Sequence, residues 1–517
     1  FLSLRPPHHD EGVNGWFIEQ MLAKGYYAYD PRNYHGPSYF YLLAAVRELC
    51  GFGLWQLRLP TALIGGLLCL APLALRRRLG VPTALAAAAV LATSPTLVYF
   101  ARYAIHETLL VALLLVLVIA AVRWADGGRA AWIVVGGAAL ALMVATKETT
   151  ILLLAAVGPW LVVETVRDSR RAGRLCVLGR APVWDRRAAL VAAGTILVMA
   201  AIHVTLFTGG FRAPGSTGTL LSRSTQAYAL WADTGTRTSG HVKSAWYYLQ
   251  LGARYELALY ALAAIGLVAG FRERWLRGPG VVGFTLLGGY SLIGYKMPWL
   301  PMSWLVLLAL PAGRGALVVV AAARRARLPV VVTAVALAAA PLAIAVRSSF
   351  VRPADKREAL AYVHTSSDYA QWMALIDRGA ARVGKSRLRI AVAHDVAWPL
   401  PWALKPFPRT RWSVRGDEDV MIVARSRAAD IEPKLRDAYY RRSYRVRASA
   451  EPAFLYLRRS LYRGIVGVAP AGFDVVGRDR IDALARQQIE GPTLHPPSGR
   501  VVPGLPLWID RCTASST

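Results

Sequence analysis

The chain has 517 residues, 55% of them hydrophobic and only 18% charged, with a mean hydropathy of +0.36. A soluble chain of this length would form several domains with a much larger share of charge, so that class is excluded. The formal net charge of +30 suggests a nucleic-acid partner, but the arginines sit in short turns between apolar runs, which is the positive-inside pattern of a membrane protein rather than a basic nucleic-acid surface.

In chain order, Phe1-Leu2-Ser3-Leu4 reads as the tail of a helix that begins upstream. Ten apolar runs follow, at 58–75, 81–98, 107–123, 131–146, 149–166, 188–208, 255–271, 279–296, 302–322 and 328–346. Each approaches the roughly 20 residues that cross a bilayer core of about 30 Å, and a helix before Phe1 would make eleven. Arg76-Arg77-Arg78, Arg170-Arg171, Arg186-Arg187, Arg272, Arg274 and Arg324-Arg325 mark the turns near 76–80, 124–130, 167–187, 272–278 and 323–327 as cytoplasmic. The segment 5–57, the turn 99–106, the loop 209–254, the turn 296–301 and everything after 347 then fall outside. Residues 38–50 read as a short helix in the interface, and "SAWYYLQLG" closes the loop 209–254 as an aromatic belt.

After Arg347 charged residues become frequent. "LRIAVA" and "DVMIVA" read as strands, and 355–383 and 428–440 as helices, which together make a small α/β domain. The expected organisation is a polytopic α-helical membrane domain over 1–347, an extracytoplasmic α/β domain over 348–488 and an irregular Pro- and Gly-rich tail over 489–517. Four cysteines without CxxC spacing indicate neither a zinc site nor a disulfide framework, and no repeat of fixed period is present.

The residues that can carry chemistry gather on the expected outer side. Asp10 and Glu11 lie in "HHDEG"; as a pair they fit either a hydrated loop or a catalytic site. Arg102, His106 and Glu107 in "ARYAIHE" head an otherwise apolar span, where ionisable groups are functional candidates, although a snorkelling Arg102 is the structural alternative. Lys147 lies in "TKETT", and Lys296 and Trp299 in "YKMPWLP", a break between spans that membrane depth tolerates only beside a cavity or inside protein. Tyr34-His35-Gly36-Pro37 is a turn that aims Tyr34 and His35 at such a cavity. The tyrosines at 26, 27, 29, 34 and 39 are either interfacial anchors or platforms for a sugar ring. His9, Glu11, His106 and Glu107 are candidate ligands of a divalent metal, with hydrogen-bonded loop residues as the plainer reading.

The ordered set "DEG", "YDPRNYHGPSYFY", "ARYAIHE", "TKETT" and "KMPW" resembles the GT-C integral-membrane glycosyltransferases of the protein O-mannosyltransferase and aminoarabinose transferase type, in a prokaryotic branch with YHGP and KMPW motifs. The resemblance covers about residues 5–350, and Glu107 stands where that pattern usually has Asp. It implies transfer of a sugar from a polyprenyl-phosphate carrier to an acceptor hydroxyl, with inversion, at the outer face of the plasma membrane. Asp10 is then the candidate base, and Glu11 and Glu107 its acidic companions. Arg102, Lys147 and Lys296 would hold the lipid phosphate, and Tyr34, His35 and Trp299 would contact substrate. A protein, a polysaccharide or a glycolipid could serve as acceptor, and no nucleic acid is implied. "AHDVAWPLPWALK", with His394, Asp395, Trp398 and Trp402, resembles a further piece of the same branch. The competing readings are a transport or flippase-associated protein that moves lipid-linked sugars without chemistry, and a scaffold that has lost activity. The charges grouped at one face and the lack of repeated halves favour the enzyme over the transporter.

Overall fold

The structure is a computed structural model that describes residues 1–33, 35–182, 185–236, 241–324, 328–447, 451–467 and 470–477. Tyr34, Cys512 and the tail 489–517 lie outside the described residues.

All ten apolar runs fall on helices, but only five of these are long and apolar enough to cross a bilayer unaided: Leu54–Leu79, His106–Gly127, Thr150–Ala172, Arg186–Phe207 and Met302–Ala323. The difference has local causes. The run at 81–98 divides into Val81–Thr93 and Pro95–Phe100, because Pro95 has no N–H to continue the ladder. The run at 255–271 is preceded by Tyr247–Tyr255, which meets Leu257–Ala269 at an angle of 98°. The two breaks satisfy each other. Glu256, at the second, accepts the Ser94 hydroxyl at 2.9 Å and the Thr96 N–H at 2.8 Å, and so caps the short helix at the first.

Met302–Ala323 is the central helix, and its residues from Met302 to Ala312 are all buried. Against Leu257–Ala269 the two backbones nearly touch: a Cβ on Gly315 would lie 1.9 Å from the Leu262 carbonyl oxygen, and one on Gly266 would lie 1.7 Å from that of Pro311. Without a hydrophobic drive between helices in lipid, this small-residue contact is what packing can use.

The bundle has two chemically distinct ends. At one, the arginine-rich turns meet: Arg78 pairs with Asp126, Arg274 with Glu164 and Asp168, and Arg277 with Glu164 at 2.8 Å. At the other end lie the helix His9–Lys24, the interfacial helix Ser38–Cys50 expected from the sequence, the turns at 101–105 and 145–149, and the loop 293–301. The opening segment expected as loop is thus largely helical, and the loop 209–254 contains a further helix, Thr217–Thr236.

The sheet domain caps this second end. Its strands are β1 (Ile390–Val392), β2 (Thr410–Arg411), β3 (Val420–Ala424), β4 (Tyr439–Arg445), β5 (Pro452–Arg458) and β6 (Asp474–Val476), in the order β2-β1-β3-β5-β4-β6. The β1 pairings are parallel and the rest antiparallel. β1 and β3 are the two strands expected from the sequence, buried throughout as strands covered on both faces are. The helix expected over 355–383 starts only at Asp368. The one expected over 428–440 ends in a turn at Lys434, after which Tyr439 and Tyr440 go into β4, where their rings are fully buried beside β5. Residues before Asp368 still belong to the helical core: Leu360 and Ala361 pack in it, and Glu358 accepts the Tyr255 hydroxyl at 2.7 Å.

The sheet domain docks on the helix His9–Lys24 through two glycines. Added Cβ atoms would lie 2.4 Å from Pro399 at Gly12 and 2.4 Å from the Trp402 ring at Gly15. Replacing Gly315 by Leu drives a side chain into the Leu262 backbone, which cannot rotate away, and is expected to cost about 3 kcal/mol. Thermal unfolding in detergent reads this as a lowered Tm, whereas Gly194→Leu, whose Cβ meets nothing within 4 Å, leaves Tm unchanged. Equal Tm values for the two variants would remove the close crossing from the account of stability.

Candidate active site

The N-terminus of the helix His9–Lys24 separates the two adjacent carboxylates. His8 is its N-cap: Nδ1 accepts from the Asp10 N–H at 3.1 Å, so Nε2 carries the proton and donates to the Tyr362 carbonyl at 2.7 Å. Glu11, at the third helical position, accepts the His8 N–H at 2.7 Å and completes a capping box. Its carboxylate also accepts the Ala104 N–H at 2.9 Å and both arms of Arg58, at 2.7 and 2.6 Å. Arg58 spends its remaining donors on the carbonyls of Leu2, Arg5 and Pro6, at 2.5, 3.0 and 3.0 Å. Every guanidinium N–H and every carboxylate lone pair of the two is then used.

Both side chains are fully buried. Burial pushes the Glu11 carboxyl up, but the Arg58 charge and its hydrogen bonds outweigh this and hold it down to about 2. The sequence expectation of Glu11 as a catalytic or metal-binding group is corrected here: it has no lone pair to offer. Asp10, one residue earlier, lines the cavity with its side chain 39% exposed, and the one basic nitrogen within 4 Å of its carboxylate among the described residues is the unprotonated His8 Nδ1, at 3.9 Å.

A second piece of backbone brings two distant motifs together. His35 and Lys147 form a bridge, flanked by Gly36 N–H donating to the Thr146 carbonyl at 3.1 Å and Ser38 N–H to that of Ala145 at 3.0 Å. A Cβ at Gly36 would stand 2.2 Å from the Ala145 carbonyl oxygen, so only glycine permits this approach. The stitch lays His35 against His106, with ring centroids 4.5 Å apart, and sets Lys147 where its ammonium pairs with Glu107. Glu107 stands in the first turn of His106–Gly127, where a helix favours negative charge. His106 is enclosed by the rings of His35, Tyr39 and Phe40.

The loop 293–301 is stitched in the same way, by a bridge between Val242 and Tyr295. It places Trp299 in the cavity wall, edge-on to His8 and Phe100. Lys296 turns away and donates to the carbonyls of Lys243, at 3.2 Å, and Ile293. Arg102 also points elsewhere: its guanidinium binds the carbonyls of Ser349 and Phe1, the latter at 2.6 Å, and lies 4.3 Å from the Phe350 ring. Neither lines the cavity. Of the three expected phosphate cations, Lys147 alone reaches it.

The cavity has a volume of about 410 Å³. Asp10, His35, Glu107, Lys147 and Trp299 of the expected set line it, joined by residues that sequence reasoning missed: Asn14, His241, Tyr362 and Arg447. The Tyr362 hydroxyl and His241 Nδ1 are 2.8 Å apart. Arg447 lies in a run crowded with arginines, and nothing in the sequence separates it from its neighbours. Tyr362 was assigned to a helix of the outer domain. His9 lines the cavity too, and burial lowers its imidazole to about 4 against a smaller opposing pull from Asp10, so it is neutral near pH 7.

The four metal candidates do not converge. Glu11 is saturated, Glu107 is paired with Lys147, and among the described residues no three His, Cys, Asp or Glu side chains are grouped to hold a metal ion. These residues do not fit a metal, and no step is derived through one.

The Glu11–Arg58 geometry fixes a pH dependence. A carboxyl depressed from 4.5 to about 2 contributes stability that is complete above pH 4.5 and disappears as pH falls toward 2, a contribution of roughly 3 kcal/mol. His9 adds a second slope of the same sign, because the unfolded chain takes up its proton first as pH drops from 6.5 toward 4. Glu11→Gln leaves Arg58 buried and unpaired and is expected to cost about 3–5 kcal/mol at pH 7. Its denaturation midpoint in detergent is also expected to lose the part of the acid slope below pH 4.5. A variant as stable as the parent at pH 7 would refute the pairing.

The family model of dolichyl-phosphate-mannose-protein mannosyltransferases matches residues 34–181, which include Glu107 and Lys147 but not Asp10 or Arg447. Over nearly its whole length the chain is similar to the crystal structure of ArnT from Cupriavidus metallidurans bound to undecaprenyl phosphate, with 17% identity, 89% of this chain and 96% of that chain covered, and a TM-score of 0.54. The apo structure of the same ArnT gives 18%, 88%, 94% and 0.52. No curated protein matches the chain. At this identity the likeness is one of fold, and with the helical bundle and the capping sheet domain it leads to one statement. The chain has the fold of the GT-C superfamily of membrane glycosyltransferases.

Proposed function

We propose that the protein transfers a sugar from a polyprenyl-phosphate carrier to an acceptor hydroxyl, with inversion, in the cavity beneath the sheet domain. The observation that carries this reading is the contrast among the three acidic candidates. Glu11 is spent on Arg58 and Glu107 on Lys147, which leaves Asp10 with an uncommitted carboxylate in the cavity. A hydroxyl is a poor nucleophile at neutral pH, and a carboxylate in hydrogen-bond reach takes its proton as it attacks. The acceptor oxygen bonds to the anomeric carbon, the bond from that carbon to the phosphate oxygen breaks, and the electron pair leaves with the lipid phosphate. The proton stays on the Asp10 carboxylate until it passes to water.

The opposite wall suits the leaving group. Lys147 lies there, and the helix His106–Gly127 begins there, with the positive end of its dipole at the same space; the first N–H groups of Thr150–Ala172 are taken by the carbonyls of Lys147, Glu148 and Thr149. Glu107 holds the Lys147 ammonium in place. Arg102 and Lys296 have no part in this reading, since backbone carbonyls claim them. His35 and Trp299 flank the space for the transferred sugar. The ArnT relative is a structure bound to undecaprenyl phosphate, which supports a polyprenyl-phosphate donor here. The arginine-rich turns at the far end support a cytoplasmic location for that end, and so an extracytoplasmic one for the cavity and the sheet domain in the plasma membrane.

In lipid nanodiscs, with polyprenyl-phosphate sugars and a cell-envelope extract as acceptor, release of polyprenyl phosphate is expected to require both acceptor and Asp10. Asp10→Asn should lower the rate by about 10²–10⁴, and Lys147→Gln should lower it while raising the KM for donor. Donor that binds without being cleaved, unchanged in Asp10→Asn, would replace the transferase by a carrier of lipid-linked sugars.

A further inference from the structure

We infer that Arg447 of the sheet domain binds an anionic group of the acceptor, and that the acceptor is therefore an acidic glycan; this rests on the transfer reaction proposed above. Arg447 follows β4 and is fixed by a backbone bridge to Thr365, which in turn bonds the Pro7 carbonyl beside the N-cap of the first helix. Its guanidinium lines the cavity. The guanidinium's single hydrogen bond among the described residues is a long one, 3.5 Å from Nε to the Trp398 carbonyl, which leaves its two terminal nitrogens without a hydrogen-bonding acceptor there. Arg32, an exposed arginine, is the other one that lines the cavity, and it too has no side-chain hydrogen bond among the described residues; Arg5, Arg58 and Arg102, outside the lining, each bond backbone carbonyls through terminal nitrogens. A planar fork left open at the edge of a cavity matches a carboxylate or phosphate.

The side of the cavity decides which substrate carries that anion. In an inverting displacement the nucleophile and the leaving phosphate lie on opposite faces of the anomeric carbon, so the residues grouped with the base meet the acceptor. Arg447 is grouped with Asp10: the two are close enough for the Asp10 charge to act on the guanidinium, and both act on His9. Lys147 and the N-terminus of His106–Gly127 belong to the membrane helices, the side from which the proposed lipid phosphate would come. Arg447 belongs to the domain that closes the cavity from the far side. The rings of Trp299 and Tyr362 line the same space, 6.4 Å apart and edge-on. With Trp299 beside the transferred sugar, Tyr362 is the aromatic ring on the Asp10 side that suits the C–H face of an acceptor sugar, and on a uronic acid the carboxylate lies within one ring of several hydroxyls.

The test is binding to the full chain in nanodiscs, read separately from turnover so that it stands whether or not lipid phosphate is released. The probes are a fluorescent tetragalacturonate, its methyl ester and undecaprenyl phosphate. The free acid is expected to bind at least tenfold more tightly than the ester. Arg447→Gln should abolish that preference, Arg447→Lys should keep part of it, and Arg425→Gln, at an exposed arginine of the same domain, should leave it intact. An unchanged Tm shows that the variants fold. Equal binding of acid and ester by the parent protein, no binding of either, or a preference that survives Arg447→Gln overturns the inference. So does a loss of undecaprenyl phosphate binding in Arg447→Gln with glycan binding unaffected, because that assigns the guanidinium to the donor.

Discussion

The site depends on one ion pair that takes no part in it. Arg58 and Glu11 meet in the fully buried space between the first helix and the span Leu54–Leu79, where an isolated charge of either sign would cost several kcal/mol. The pair survives there because nothing in it is left over. Its two partners saturate each other and, in the same act, tie four parts of the chain: the segment 2–6, the cap at His8, the turn at Ala104 and the span Leu54–Leu79. That knot sets the helix His9–Lys24 in a single rotation. With Glu11 locked inward, Asp10, about 100° further round the helix, faces the cavity. The adjacent carboxylates are one anchor and one free group, and the first positions the second.

The rest of the cavity is assembled by short backbone bridges between loops rather than by regular secondary structure. His35 with Lys147 and Val242 with Tyr295 each join segments that are remote in sequence. They do so at a level where unpaired N–H and C=O groups are expensive. The bridges satisfy those groups and fix register together, so the side chains beside them arrive at defined places. Gly36 shows how tight the arrangement is, since even a methyl group would collide with the Ala145 carbonyl. The sheet domain completes the enclosure through the same economy of small residues, with Gly12 and Gly15 admitting Pro399 and Trp402 to van der Waals range of the helix.

Much of this was legible in the amino-acid sequence, and the failures have a common cause. Hydropathy located ten apolar runs that are all helical, and the motifs placed Asp10, His35, Glu107, Lys147 and Trp299 around one cavity. Sequence cannot report how a polar group deep in a protein finds its partner. Arg58 sits at the start of an apolar run and nothing in the sequence singles it out, although all five of its guanidinium N–H groups are bonded. Arg102 and Lys296 read as cations aimed at a substrate, yet both turn to backbone carbonyls that helix ends and loop breaks leave open. Tyr362 and Arg447 were missed because they come from beyond the membrane helices, and β4 itself was hidden under a helical reading of 428–440. The buried tyrosines of β4 follow from pairing with β5, which no local pattern specifies.

These misreadings change what the site can do. A cavity ringed by Arg102, Lys147 and Lys296 would be strongly positive and suited to holding a lipid phosphate after transfer. The arrangement found has Lys147 neutralised in part by Glu107 at one wall, and Asp10 with Arg447 at the other. Transition-state stabilisation needs charge that is better matched to the leaving phosphate than to the intact donor. On the proposed reading, a lysine paired with Glu107 beside the N-terminus of His106–Gly127 supplies positive charge that the leaving phosphate meets as it becomes more negative. On the same reading, the charge of Arg447, near enough to Asp10 to feel it, offsets the negative charge that an acidic acceptor brings to that carboxylate. The proposed donor and acceptor thus meet separate groups, Lys147 with Glu107 on the membrane helices and Asp10 with Arg447 where the first helix meets the sheet domain, and the docking at Gly12 and Gly15 holds that helix and domain together.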